Sequence, residues 1–252
     1  MLECLAERTI ALAQKRKLQD ASKGYDPLLE KRIRSLLPFL VKNQIKLITN
    51  MGAANPLAAA QKVIEIAKEL NLSIKVAAVT GDDATQWVKN SSTHFTLLEN
   101  GQALNDYEVI SINAYMGVEG ILEALTADAQ IIITGRVSDP SLFLAPMIHE
   151  FDWQMDDYDL LGKGTVIGHL LECAGHITGG YFAEPIMKPI EGLATLGHPF
   201  ADIYADGSAI ISKVKGTGGK ITLQTAKEQL LYEVIDPGNY ITPDVVADFR
   251  EV

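Results

Sequence analysis

The sharpest group of chemically active side chains is the run His169-Leu-Leu-Glu172-Cys173-Ala-Gly-His176. On a helix, residues spaced by three, four and seven lie on one face. His169 and Glu172 could therefore act as a general acid–base pair, or bind a divalent metal together with His176. The alternative is a His–Glu pair packed between helices, with Cys173 as a small core residue. Because the spacing differs from the His-Glu-x-x-His zinc motif, it leaves the cofactor open.

Arg136 follows the apolar run Ile131-Ile-Ile-Thr134 and a glycine, which predicts a position at the mouth of a buried strand. A guanidinium group there can hold a carboxylate through two parallel hydrogen bonds. The alternative is an ion pair with Asp139 that orients the loop.

Two turns, Gly52–Pro56 and Ser138–Pro140, each lead from a predicted strand into a helix. Exposed amides and the helix dipole at such a turn favour a carboxylate or a phosphate. We therefore predict that Gly52, Asn55 and Ser138 contact substrate. An Asn or Asp that precedes proline can equally serve as the N-cap of the helix.

Asp82 and Asp83 end another predicted strand, and adjacent carboxylates can hold a divalent metal or serve as acid and base. The alternative is that Asp82 caps a helix that begins near Ala84. Asn113 follows the apolar run Val109–Ile112, which we interpret as another strand; its amide would then point to the same edge of the sheet.

The loop Gly216-Thr-Gly218-Gly-Lys220 could wrap a phosphate with the amides of Gly216 and Gly218. It lacks the spacing of a nucleotide P-loop. Glycines that only permit a turn explain this loop equally well.

The helices and strands that must position these candidate side chains are predicted from the periodicity of hydrophobic residues. Helices are expected over residues 2–18 (at least from Ala6 onward), 27–42, 56–71, 117–127, 140–150, 164–178 and 222–235, strands over 45–49, 73–79 and 129–134, and a β-hairpin over 201–212. Alternating strands and helices imply βαβ units. We therefore predict an α/β fold with a mostly parallel sheet flanked by helices, a small hairpin region near the C-terminus, and a single domain over 1–252. Ligands of such sheets bind beyond the carboxyl ends of the strands.

Composition narrows the class of protein further. The 252 residues carry a formal net charge of −10, which disfavours nucleic acid, and they include only two cysteines. The sequence has no apolar run long enough to cross a membrane. We expect a cytoplasmic protein that binds a small carboxylic acid or an acyl-CoA and acts as a homo-oligomer or beside a partner subunit.

The chain resembles the acyclic terpene utilisation (AtuA) family, and specifically its N-terminal domain. The motifs that carry the resemblance are LECLAERT, ITNMGAANP, AVTGDD, INAYMG, ITGRVSDPSL, IGHLLECAGHITGGYF, ADGSAIISKVKGTGG and EQLLYEVIDPGNYITPDVVADF. The matching motifs include Asn55, Asp82, Asn113, Arg136, Asp139, His169 and Glu172. Family members begin earlier, with a strand and a glycine-rich loop. The resemblance therefore implies a chain that is truncated at both ends or encoded by a split gene.

The resemblance implies breakdown of branched-chain or terpenoid compounds, beside acyl-CoA enzymes. The resulting hypothesis is a lyase or hydratase that acts on a small hydroxy acid or an acyl-CoA thioester. Arg136 and the Asn55 turn would hold the carboxylate or carbonyl oxygen, and His169, oriented by Glu172, would move a proton. Asp82 or Asp139 would be the counterpart. The alternative is a non-catalytic binding or assembly subunit. A nicotinamide oxidoreductase is disfavoured because the dinucleotide glycine fingerprint is missing.

Overall fold

The computed structural model describes residues 1–250 and 252. The chain divides into two compact units. The sheet unit comprises Cys4–Met116 and Asp128–Val137, and the helical unit comprises Met1–Glu3, Gly117–Ala127 and Ser138–Val252. The chain crosses repeatedly from one unit to the other, so neither is a continuous segment. The prediction of a single domain stays a prediction.

The sheet unit holds three parallel strands, β1 (Leu47–Thr49), β2 (Val76–Val79) and β3 (Ile131–Thr134), in the order β1-β3-β2. β3 is central and fully buried, and β1 is buried as well, which explains why both are apolar runs without alternation. Four helices belong to this unit: α1 (Glu7–Gln19), α2 (Leu29–Lys42), α3 (Pro56–Glu69) and α4 (Thr85–Asn90). The predicted α/β class with a parallel sheet is confirmed.

Helix α3 forms the crossover from β1 to β2, as the sequence predicts. Asn55 caps it by accepting a hydrogen bond from the Ala58 amide at 3.3 Å, and Pro56 occupies the first turn, where no amide hydrogen is needed. Its buried stripe is Ala59, Val63, Ile66 and Ala67.

The predicted ends of several elements in the sheet unit are wrong by a few residues. The first strand begins at Leu47 because the Ile45 amide donates to the Leu40 carbonyl and so continues the end of α2. α1 begins at Glu7, where the Thr9 hydroxyl bonds both the amide and the carbonyl of Ala6.

The run Val109–Ile112 is not a strand, contrary to the prediction. The Ile112 carbonyl accepts from the Ala84 amide and its amide donates to the Thr85 hydroxyl, so this segment bonds to the start of α4. Asn113 forms only an isolated bridge with Asp83.

The helical unit contains four helices and two antiparallel hairpins among the described residues. These are α5 (Glu119–Thr126), α6 (Ser141–Phe151), α7 (Tyr158–Glu172), α8 (Leu223–Leu230), β4 (Pro199–Ile203) with β5 (Ala209–Lys213), and β6 (Tyr240–Ile241) with β7 (Val246–Ala247). The predicted hairpin is confirmed. Its turn is closed by the Asp206 carboxylate, which accepts from Ser208, and by Gly207, whose φ is +78°.

The predicted helix over 164–178 is displaced, because α7 runs from Tyr158 to Glu172. It starts early because Asp157 caps it, and it ends because Ala174 adopts a left-handed φ of +48° and opens a 3₁₀ turn, Ala174–His176. His176 therefore does not share a helix face with His169. α8 likewise ends at Leu230, short of the predicted residue 235.

Glycines on α7 set its distance to α6. A Cβ on Gly168 would lie 2.8 Å from the Pro140 carbonyl oxygen and 2.9 Å from its Cα, so only glycine fits this crossing. Gly162, one and a half turns earlier, faces open space. None of the described helices combines the length and the apolar character that crossing a membrane requires.

Two glycine-to-alanine substitutions on α7 should therefore have opposite effects on stability. Gly162→Ala should stabilise the protein by up to about 1 kcal/mol, because alanine is the better helix former. Gly168→Ala gains the same propensity but meets backbone atoms, and overpacking of this kind costs about 1–3 kcal/mol. Chemical denaturation of the two variants measures the difference, and equal midpoints would contradict the close approach.

Candidate functional site

Polar residues follow all three strands of the sheet unit. Asn50 directly follows β1, Asp82 lies just beyond β2, and Arg136 lies just beyond β3. All three are buried, with at most 6% of each residue exposed. Since the carboxyl ends of parallel strands share one edge, this is the edge where ligands of such sheets bind.

One oxygen of the Asp82 carboxylate links the chain segments that meet at this edge. Its Oδ2 accepts from the Arg136 amide and from Asn113 Nδ2, both at 2.9 Å. Gly135 makes the approach possible, because a Cβ there would lie 2.7 Å from the Asp82 Cγ. Burial raises the pKa of Asp82, against the effect of these two hydrogen bonds.

The Arg136 guanidinium makes several contacts within the sheet unit. Nη1 donates to the Leu5 carbonyl at 2.8 Å, Nε donates to the Val137 carbonyl at 3.0 Å, and Cζ lies 4.6 Å from the centre of the Tyr115 ring. These contacts attach the N-terminal segment to the end of β3. Binding of a carboxylate by Arg136 stays a prediction.

The other predicted binding residues of this unit have local structural contacts. Asn55 Nδ2 donates to the carbonyls of Ala21 and Lys23, in addition to the helix cap that its Oδ1 provides. Gly52 lies against the backbone of Pro56, 2.8 Å from where its Cβ would be. Both contacts are of the structural kind that the sequence left open beside substrate binding.

Asp83, and not Asp82, serves the start of α4, because its Oδ1 accepts from the Thr85 amide at 3.0 Å. Burial would raise the pKa of Asp83, but the hydrogen bonds from Thr85 outweigh burial and the pKa is lowered. The two adjacent aspartates are therefore shifted in opposite directions, as an acid and a base would need to be.

In the helical unit, His169 and Glu172 form a buried pair. Nδ1 of His169 lies 3.0 Å from Oε1 of Glu172, and Nε2 lies 3.0 Å from the Gln229 carbonyl oxygen. His169 is 1% exposed and Glu172 is 7% exposed. The predicted His–Glu contact is thus present, one helical turn apart on α7.

The Gln229 carbonyl fixes the proton on His169. A carbonyl only accepts hydrogen bonds, so Nε2 must carry a hydrogen. The contact between Nδ1 and Oε1 then needs a second proton, held either by Nδ1 beside a carboxylate or by Oε1 beside a neutral imidazole. Burial raises the pKa of Glu172, whereas its hydrogen bond with His169 acts in the opposite direction. The pair therefore shares one proton between two bases.

Three buried polar atoms near this pair have no hydrogen-bond partner among the described residues: Glu172 Oε2, Gln229 Oε1 and His176 Nδ1. Buried polar atoms are almost always paired. Gln229 also interacts with the side chains of Cys173 and His176, so the atoms belong to one neighbourhood. The group is thus able to accept a water or the polar end of a ligand.

Two aromatic rings from the C-terminal segment of the chain pack against the His169 ring. The rings of Tyr240 and Phe249 lie 5.2 and 5.4 Å from the His169 ring, and the Tyr240 hydroxyl lies 3.4 Å from Nδ1. Burial raises the pKa of Tyr240, and the charges of Glu172 and Asp139 add to the effect. Asp139 is therefore within electrostatic reach of Tyr240, the residue that covers the pair.

The remaining predicted residues of the helical unit fall elsewhere. Ser138 is buried, and its carbonyl accepts from the Ser141 amide at the start of α6. In the glycine loop, the amides of Gly218, Gly219 and Lys220 all donate to backbone carbonyls. Gly216 has a φ of +76° and open space around it, which suits the turn explanation.

The predicted metal trio does not form on one helix face, because α7 ends before His176. Among the described residues, no cluster of three or more His, Cys, Asp or Glu side chains could hold a metal ion.

Gln229 and Tyr240 were missed by the sequence reasoning, although both contact His169. They lie 60 and 71 residues away along the chain. Neither belongs to a motif with a chemical meaning of its own, so only the tertiary structure reveals them. Asp244, also missed, accepts from the Val118 amide and the Ser141 hydroxyl and so joins the starts of α5 and α6.

A family model described as "Acyclic terpene utilisation family protein AtuA" matches residues 1–252, the whole chain. No curated protein and no solved structure matches the chain significantly.

The opposite pKa shifts of Asp82 and Asp83 predict opposite pH dependences of stability. A raised pKa means that the folded state keeps a proton that the unfolded state has lost. The contribution of Asp82 to stability therefore falls as pH rises above about 3.9, the ordinary pKa of an aspartate. For Asp83, whose pKa is lowered, stability is present above that pH and is lost as pH falls.

Urea titrations of wild type, Asp82→Asn and Asp83→Asn test this over a range that runs from below about pH 3.9, where the Asp83 contribution changes, up to neutral pH, so that the Asp82 contribution above about pH 3.9 is covered as well. Relative to wild type, Asp82→Asn should become more stable with rising pH and Asp83→Asn less stable. Parallel curves for the two variants would contradict the assignment.

Proposed function

Because the chain belongs to the acyclic terpene utilisation family AtuA, we propose that it is a catabolic enzyme of branched-chain or terpenoid breakdown. The reaction is of the lyase or hydratase type, and the substrate is a small hydroxy acid or an acyl-CoA thioester. The family name supports the pathway class, and the helical unit supports the chemistry.

The observation that carries the proposal is the shared proton of His169 and Glu172. A pair that already holds one proton can accept a second and return it, which is what general acid–base catalysis requires. Oε2 of Glu172 is the atom in this pair without a hydrogen-bond partner among the described residues, which supports it as the atom that would exchange a proton with the substrate. When Oε2 takes up the substrate proton, the proton shared between Oε1 and Nδ1 resides on Nδ1, so that His169 carries the positive charge.

In the dehydration direction, the pair removes the proton from the carbon next to the carbonyl group. The electrons of that C–H bond form the carbon–carbon double bond while the bond from the adjacent carbon to the hydroxyl oxygen breaks. The pair then gives a proton to the departing hydroxyl, which leaves as water. The pair ends in the protonation state in which it began, and hydration is the same sequence in reverse.

Access to the pair requires movement of Tyr240 and Phe249, whose rings stack 4.6 Å apart over His169. The same cover favours the reaction once substrate is bound, because a site without bulk water strengthens electrostatic interactions. Asp139 remains a candidate for contact with a substrate hydroxyl.

The burial of His169 also favours the alternative, a non-catalytic binding or assembly subunit. A histidine that is 1% exposed and bonded on both ring nitrogens suffices to hold α7 against α8. The two functions differ in whether His169 is needed for turnover or only for folding.

We expect His169→Gln to lower turnover by roughly 10²- to 10⁴-fold, the usual contribution of a general acid–base group. The measurement is deuterium incorporation from D₂O at the carbon next to the carbonyl, across a panel of short hydroxy acids and acyl-CoA thioesters. Mass spectrometry reads the exchange even where the overall equilibrium hides turnover.

His149→Gln is the matched control, because His149 lies on α6, outside the buried group, and is only partly buried. It should exchange like wild type. Tyr240→Phe keeps the ring packing and removes the hydroxyl, so it tests the pair if His169→Gln unfolds. Wild type that exchanges no substrate, or His169→Gln that exchanges as fast as wild type, would favour the assembly subunit.

A further inference from the structure

A cavity of about 180 Å³ lies in the sheet unit, between α1, the segment that precedes α2 and the chain that follows β1. Its walls are largely apolar and include Leu5, Leu12, Leu28 and Ala53. Leu5 and Ala53 belong to a buried core cluster, so this part of the wall is fixed. Asn50, which directly follows β1, also lines the cavity. The cavity therefore reaches the edge of the sheet at which ligands of such sheets bind.

One face of α1 supplies part of the polar wall, and Asn50 and Asp26 supply the rest; the Asp26 carboxylate accepts from the Leu28 amide through Oδ1 at 2.6 Å. Thr9, Leu12 and Arg16 all line the cavity, and their spacing of three and four residues puts them on one side of the helix. The hydrocarbon stem of Arg16 can cover apolar surface while its charged end stays at the mouth.

Arg16 lines the cavity and Arg32 lies beside the lining residue Cys4; neither guanidinium forms an ion pair with a carboxylate of the described residues. Among residues 1–250 and 252, the only hydrogen bond of the Arg16 side chain is to the Tyr25 carbonyl at 3.5 Å. Arg32 contacts sulfur atoms, Cys4 Sγ at 2.8 Å and Met51 Sδ at 3.9 Å. A guanidinium carries five donors and matches a carboxylate, so this charge is suited to an anion.

The volume limits the size of that anion. An apolar cavity of about 150 Å³ holds one benzene molecule, so about 180 Å³ accommodates roughly six to eight non-hydrogen atoms. A longer chain would have to extend through the mouth.

We infer that this cavity binds a short aliphatic carboxylate, whose hydrocarbon part fills the apolar space and whose charge is held by Arg16. Every residue that carries this inference belongs to the sheet unit, and none of them is a member of the His169–Glu172 pair.

Cys4 provides a way to observe the site. Cys4 is a free, partly buried cysteine that lines the cavity, so a bound ligand would restrict the access of an alkylating reagent to its thiol. Cys173, the other cysteine of the chain, serves as an internal reference. Burial and the charge of Glu172 raise the pKa of Cys173 to about 12, so it should react slowly.

The experiment alkylates the purified full chain with iodoacetamide, with and without hexanoate, and maps the two cysteines by mass spectrometry. Saturating hexanoate should slow the reaction of Cys4 and leave that of Cys173 unchanged. Hexan-1-amine, which has the same chain and the opposite charge, should give no protection. Calorimetric titration with hexanoate measures the affinity without relying on the thiol.

Arg16→Met should weaken hexanoate binding roughly tenfold or more, because it removes charge-assisted hydrogen bonds and keeps the apolar stem. Arg16→Lys should restore part of the affinity. Arg8→Met is the matched control and should bind like wild type, because Arg8 is an exposed arginine of the same helix that does not line the cavity.

Equal protection by hexanoate and hexan-1-amine, or unchanged affinity in Arg16→Met, would overturn the anion site. No calorimetric binding of hexanoate to wild type would overturn the cavity as a carboxylate site altogether.

Discussion

The hydrogen bond between His169 and the Gln229 backbone carbonyl has only one possible donor, the histidine, and this constraint determines the chemistry of the helical unit. The Gln229 carbonyl can only accept, so it holds a hydrogen on His169 Nε2 and leaves Nδ1 to share a proton with Glu172. The Gln229 side chain returns the contact by donating from Nε2 to the His169 carbonyl at 3.0 Å. These two reciprocal hydrogen bonds join α7 to α8. The one that His169 donates also fixes a hydrogen on its Nε2.

At the edge of the sheet, too, a few hydrogen bonds to one side chain hold several segments together. A single carboxylate oxygen of Asp82 accepts from the backbone after β3 and from Asn113, and Gly135 leaves the space for it. Because the carboxylate is buried and uses these neutral donors, its charged form is disfavoured in the fold. Residues that an enzyme could use at this edge are thus also the residues that connect its loops.

The parts of the fold that were predictable from sequence are those with a local physical cause. The apolar run Ile131–Thr134 has to be a buried strand, and Asn55-Pro56 has to start a helix, so β3 and α3 were found. α7 was displaced because its start depends on an Asp157 cap and its end on one left-handed alanine, neither of which a hydrophobic period records.

For the site, the strand-end rule and the helix spacing identified Asp82, Arg136, His169 and Glu172 as neighbours of ligand-binding edges or of each other. What these side chains contact could not be predicted in the same way. Gln229, Tyr240 and Arg16 of the cavity reach their positions only through tertiary packing, and their motifs have no chemical meaning by themselves. The resemblance to the AtuA family identified the motifs as a set, and the whole-chain match confirms the family.

The strand order β1-β3-β2 has a consequence for synthesis on the ribosome. β1 and β2 are not neighbours, and each pairs only with β3. The central strand is therefore the last of the three to be translated, roughly fifty residues after β2. At about 5–20 residues per second, that is a wait of several seconds during which two apolar strands have no partner. Because unpaired apolar strands are prone to aggregate, this strand order lengthens the time for which the nascent chain is exposed to misfolding.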